Sequence, residues 1–154
     1  MKTPEVIARR MDKFITFTIG KLHFKDSAQF LISSLVKLVA NLKVKGHKEN
    51  ITKQLFHNTW NCFQRNWGHL PEKAFDMITR KGIYPYEYMD SFDRFTERQL
   101  PPQESFYSSL TMKNVKEADY EFAMDMWQMF NMNNLGELHD LYLDTDVVLL
   151  ADVF

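Results

Sequence analysis

The chain of 154 residues contains a single cysteine, Cys62. One thiol excludes an internal disulfide framework and fits a reducing compartment. Five glycines and five prolines are too few for a low-complexity or disordered chain. No apolar run approaches the roughly 18 residues that span a bilayer, so no membrane partner is expected. Residues Met1 to Arg10 lack the apolar core of a secretory signal. A Gly-rich phosphate loop is absent, as is any Ser/His/Asp order, and His57, Cys62 and His69 match no common structural zinc spacing.

Net charge is also scarce, at −1, but that total conceals an asymmetry. Residues 1–53 carry eleven Lys/Arg against four Asp/Glu, and residues 54–154 carry eight against sixteen. Two readings fit this pattern equally. One is a nucleic-acid track beside a metal-binding or partner-facing region; the other is two solvated faces that neutralise each other. What the chain does have is apolar mass. It is 45% hydrophobic and 14% aromatic, with 13 Phe, enough for one domain with a ring-rich core.

Hydrophobic periodicity places the elements. Ile15, Phe17 and Ile19 alternate with threonines, Gly20-Lys21 supplies a two-residue turn, and Leu22 and Phe24 alternate on the return. This predicts a β-hairpin over 14–25. Asp26-Ser27 then reads as a helix start, followed by Leu31, Leu35, Leu38 and Leu42 at helical spacing. Residues 43–50, with Gly46, read as a polar connection. Further helices are predicted from about Thr52 to Phe63, and from an N1 proline at Pro71 to about Arg80, ended by Gly82. Residues 81–102 are irregular and rich in Tyr and Phe, so they must lie against protein or ligand. Helices are expected over 114–132 and from about Leu135 onward, separated by Asn133-Asn134. Methionines 124, 126, 129 and 132 read as core filler.

The last helix carries the sharpest chemical signal. Tyr142 and Asp146 are four residues apart and so share one face. A phenol and a carboxylate so placed can hold a divalent metal and orient its bound water, which is what nuclease chemistry needs. Alone, Y-x-x-x-D is a short and common pattern, and in isolation a surface Asp on a helix with a half-buried Tyr above it is by far the commoner account of it.

Its surroundings add order. The run from His139 to Phe154, HDLYLDTDVVLLADVF, resembles the third exonuclease motif of family B DNA polymerases, most closely the protein-primed branch of linear plasmids, viruses and self-synthesising transposons. Upstream, Phe24-Lys25-Asp26-Ser27 with Phe30-Leu31 and Ser33-Ser34-Leu35 resembles the strand-to-helix element after the second exonuclease motif. Residues 80–88, RKGIYPYEY, resemble the branch's K-x-x-hydrophobic element, and Leu100-Pro101-Pro102 with Phe106 to Leu110 resembles a connecting segment. The likeness runs from about residue 14 and is least distinctive over 44–75.

The resemblance implies an α/β architecture: a partial ribonuclease-H-like exonuclease fold, helix-rich with an N-terminal β-hairpin, forming one partial domain over 1–154 truncated at both ends. It implies that Asp146 is a metal ligand, that Tyr142 orients the attacking water and that Lys81 steadies the scissile phosphate. It places Tyr86 against the frayed primer end. Ser27 matches a single-strand-contacting motif, although Ala28 stands where that motif has Leu; an N-cap role fits Ser27 equally well. The complete enzyme would be a DNA-directed DNA polymerase using Mg or Mn, primer-template DNA, dNTPs and, in this branch, a terminal protein. It would work inside a cell, in a nucleus or at a viral replication site.

Tyr-x-Asp-Thr-Asp is also a polymerase active-site pattern in the same superfamily, but that pattern occupies a β-hairpin, whereas the flanks here are helical. The first exonuclease motif, Asp-x-Glu, the second, Asn followed by Asp, and the polymerase motifs are not found. One Asp and one Tyr cannot hold a two-metal centre, so the chain alone is expected to be inactive. The alternatives are a non-catalytic single-stranded nucleic-acid-binding relic using the basic first third, and a helical interaction module.

Overall fold

The computed structural model describes residues 6–10, 13–26, 30–31, 33–49, 52–68 and 71–154. They belong to two compact units, Met1–Ser34 and Leu35–Phe154. The architecture is helix-rich with a small antiparallel sheet at the N-terminal end, consistent with the α/β class.

The first unit is a three-stranded sheet in the order β1 (Val6–Arg10), β2 (Lys13–Ile19), β3 (Leu22–Lys25). The predicted hairpin is present, with Ile19 opposite Leu22 across Gly20-Lys21. Gly20 sits at φ +63°, a left-handed value that glycine adopts without a side-chain clash. Phe17 and Phe24 are directly paired and their rings stack at 4.6 Å, which fixes the register. Strand β1 was not expected: Val-Ile-Ala-Arg-Arg has no period-two signal, and its pairing with β2 slips twice along five residues. Ser27 lies outside the described residues.

The second unit begins with α1 (Leu35–Glu49). The helix therefore starts after Ser33-Ser34 and not near Ser27, and Leu31 lies outside it. Serines immediately before an apolar-periodic run are themselves a helix-start signal, and the nearer pair marks the start. The expected connection over 43–50 is helical instead. Gly46 is buried there, where an added Cβ would stand 2.9 Å from the Thr52 Cα, so the end of α1 packs directly on the next helix.

The helix predicted over 52–63 is two, α2 (Thr52–Leu55) and α3 (His57–Asn66), broken at the fully buried Phe56. Then α4 (Glu72–Ile78) follows Pro71, which stands one place earlier than predicted, at the N-cap. Residues 81–116 are irregular, with two 3₁₀ turns at Phe92–Thr96 and Gln103–Phe106. The chain ends in α5 (Glu117–Met129) and α6 (Leu135–Val153).

The corner between α5 and α6 is specified by asparagines. Asn131 takes φ +48°, its amide donates to Gln128 O at 3.1 Å, and Met132 N donates to Trp127 O at 3.0 Å. That is a Schellman termination with Asn in the left-handed position. Asn134 then caps α6, its side chain accepting from Glu137 N at 3.0 Å.

Helix α6 is the spine of this unit. Leu135, Leu138, Leu141, Thr145 and Leu149 are buried at spacings of three and four, as the sequence predicts. The four leucines pack with Phe56, Phe63, Phe75 and Ile78 into one core. Met126 and Met132 belong to it, while Met124 is exposed. Near its C-terminal end, α6 also supplies Asp152, whose carboxylate accepts from Asn58 N (2.7 Å), Thr59 N (3.0 Å) and Thr59 Oγ1 (2.6 Å). The break at Phe56 leaves these first-turn amides of α3 without intrahelical partners, and Phe56 has no side chain that could accept from them. Asp152 caps α3 from a distant helix.

Candidate functional site

Tyr142 and Asp146 occupy consecutive turns of α6, well inside a regular helix and not in a hairpin. The Tyr142 hydroxyl donates to Asp146 Oδ2 at 2.7 Å. The other carboxylate oxygen, Oδ1, is buried and has no protein partner. A buried carboxylate oxygen lacking a donor is costly, and it suits a water or a cation.

The irregular stretch after α4 folds onto this face of α6 and brings Tyr86 to Tyr142, hydroxyl to hydroxyl. A carboxylate can only accept, so the Tyr142 proton is committed to Asp146. Tyr86 must then donate to Tyr142, and the chain Tyr86 → Tyr142 → Asp146 runs in one sense. Burial, then the bonds to Tyr86 and Asp146, push the Tyr142 phenol well above the usual tyrosine range, so it stays protonated. Tyr86 is 62% exposed, and its ring meets those of Tyr84 and Tyr142 edge-on.

Two further side chains join this group. Tyr84 stacks on Tyr142, ring centroids 4.7 Å apart and planes 24° apart, and Tyr84 Oη shares a 2.7 Å hydrogen bond with His139 Nδ1. Burial, with a smaller effect of Tyr86, raises the Tyr84 phenol. Gly82 lies at the edge of the Tyr142 ring: a Cβ there would stand 2.9 Å from Cδ2. Sequence reasoning missed Tyr84, His139 and Gly82 as site residues. His139 is one turn before Tyr142, and that spacing was the only available signal.

The stretch is pinned to α6 by a knot of its own. Tyr88 donates to Glu97 at 2.6 Å, Arg94 donates to Glu97 at 2.8 Å, and the guanidinium lies 4.2 Å over the Tyr88 ring. The Glu97 carbonyl accepts from Leu135 N at 2.8 Å, which fixes the loop to the start of α6. The bonds from Tyr88 and Arg94 hold the Glu97 carboxyl below its ordinary range.

Lys81 is half-buried and lines an open groove of about 430 Å³ with Val36, Val39, Lys43, Arg80 and Asp119. Lys43 pairs with Asp76 and Arg80 with Asp119, each at 3.2 Å, while Lys81 forms no ion pair among the described residues. Among those residues no three His, Cys, Asp or Glu side chains converge on one point. No helix among them is long and apolar enough to cross a membrane. Tyr142, Asp146 and Tyr86 are thus brought into direct contact, Lys81 is adjacent in chain to Gly82, and Ser27 is not described. Comparison with protein-family models, with curated proteins and with solved structures finds no match to this chain.

Proposed function

We propose that the chain is the later part of a proofreading 3′–5′ exonuclease domain of ribonuclease-H-like fold, from a family B DNA polymerase of the protein-primed branch. The observation that carries this reading is the Tyr142–Asp146 pair: a neutral phenol bonded to one carboxylate oxygen, with the other buried and unpartnered. Asp146 suits a hard divalent ion such as Mg or Mn. Such ions, when bound, activate water and stabilise a leaving oxygen. Within the chain itself, Tyr142 orients the attacking water, Lys81 offsets the charge of the scissile phosphate, and the exposed Tyr86 ring stacks on the terminal base. Primer-template DNA, dNTPs and a terminal protein are partners of the complete enzyme.

A single carboxylate holds a metal weakly, so the test is local and not catalytic. Manganese added to the ¹⁵N-labelled chain should broaden amide signals around Asp146, and Asp146→Asn should abolish that broadening. Equal broadening in the variant would refute the reading. The pure chain should trim no labelled 3′ end; trimming would show that its carboxylates suffice. Coding sequence upstream of the Met1 codon should contain Asp-x-Glu and Asn…Asp motifs.

A further inference from the structure

A phenol that orients another group must itself be held in one place. Tyr142 is held from outside its own helix. The Gly82 backbone lies against one edge of the ring, where a methyl would stand 2.9 Å from Cδ2 and 3.4 Å from Cε2. The Tyr84 ring covers the Tyr142 ring at 4.7 Å. Tyr84 in turn is fixed by its 2.7 Å hydrogen bond to His139 Nδ1, and the imidazole rests on Phe95 at 4.8 Å between ring centroids. His139 and Tyr142 are three residues apart on α6. One loop tyrosine therefore grips two side chains of the same helix face, one by its hydroxyl and one by its ring. Lengthwise movement of the loop along α6 would break both contacts together.

We propose that Tyr84 and His139 are positioning residues for the Tyr142 phenol: the Tyr84 ring packs Tyr142 against the Gly82 backbone, and His139 sets where along α6 that ring lies. The proposal rests on the exonuclease reading only for what Tyr142 does once held. The holding itself is measured without metal or nucleic acid, so the two can fail separately. A failed manganese experiment leaves this arrangement intact, and failure here leaves Asp146 as a ligand.

A purely structural role for Tyr84 would change stability alone. A positioning role also changes the motion of the Tyr142 ring, and NMR of ring-¹³C-labelled tyrosine reads it, with the Tyr142 signals assigned by Tyr142→Phe. In the native chain the Tyr142 ring should flip slowly. Tyr84→Leu removes the covering ring; the flip rate should rise by about twofold to tenfold, the range expected for loss of one aromatic pair. His139→Phe keeps a ring on Phe95 but removes the hydrogen bond to Tyr84, and should give a smaller rise in flip rate in the same direction. Should Tyr84→Leu fail to fold, His139→Phe decides the matter alone. Unchanged Tyr142 flipping in a folded variant overturns the proposal.

Discussion

Asp152 sits in the last turn of α6, where a carboxylate faces the negative end of its own helix dipole and where no basic residue accompanies it. Locally this placement is unfavourable. The three bonds to Asn58 and Thr59 explain it. Asp152→Ala should strip the acceptor from two amides and from Thr59, a residue with no exposed surface. Loss of an N-cap costs about 0.5–2 kcal/mol, and each hydrogen bond to a charged group contributes about 1.5–3 kcal/mol. These terms overlap, since one carboxylate serves all three donors, so the expected cost is about 3 kcal/mol. Asp152→Asn keeps one acceptor oxygen and loses the charge; about 1.5 kcal/mol is expected. Urea denaturation is the assay, with the midpoint falling and the slope unchanged. Thr59→Val completes a double-mutant cycle, in which coupling to Asp152 should exceed about 0.5 kcal/mol. A cost below about 1 kcal/mol for Asp152→Ala, or strict additivity with Thr59→Val, would refute the capping argument.

Four further outcomes are expected. Stability should fall as pH rises past about 10, because Tyr142 ionises in the unfolded chain and not in the fold; Tyr142→Phe should flatten that alkaline limb in urea midpoints taken between about pH 8 and 11. The acid limb has the opposite sign. Glu97 is held below its ordinary range, so its contribution is present above the unfolded value and lost as pH falls through the folded one; Glu97→Gln should lose less stability in acid than the native chain. Asn134→Ala should lower thermal stability by about 1 kcal/mol through loss of the α6 cap, read by calorimetry. If Lys21 and Lys25 contact phosphates, single-stranded DNA binding should weaken with salt with a log–log slope of about −1.4, and a slope near zero would rule such contacts out.

The parts of this molecule legible in the sequence are those whose physics is local. The α6 stripe was legible because its buried leucines recur at helical spacing, and the Tyr142–Asp146 contact followed because four residues make one turn. The 14–25 hairpin was legible because Gly20 can take a left-handed φ between two alternating runs. What failed was tertiary. Nothing near Phe56 announces a helix break, because the break is completed by a carboxylate 96 residues later in the chain, at Asp152. The resemblance of the RKGIYPYEY run picks out Tyr86, but nothing local marks Tyr84; the fold gives Tyr84 to His139 and Tyr86 to the Tyr142 hydroxyl. Gly46 read as a loop residue because its packing partner, Thr52, lies across a corner in space.

The one-way order of protons from Tyr86 through Tyr142 to Asp146 has a consequence for whatever approaches from solvent. Tyr86 has already given its only hydrogen inward, so its oxygen faces outward with lone pairs alone. In this arrangement the mouth of the site is an acceptor. A hydroxyl, an amine or a water finds a partner there, while a phosphate oxygen, which brings no hydrogen, does not.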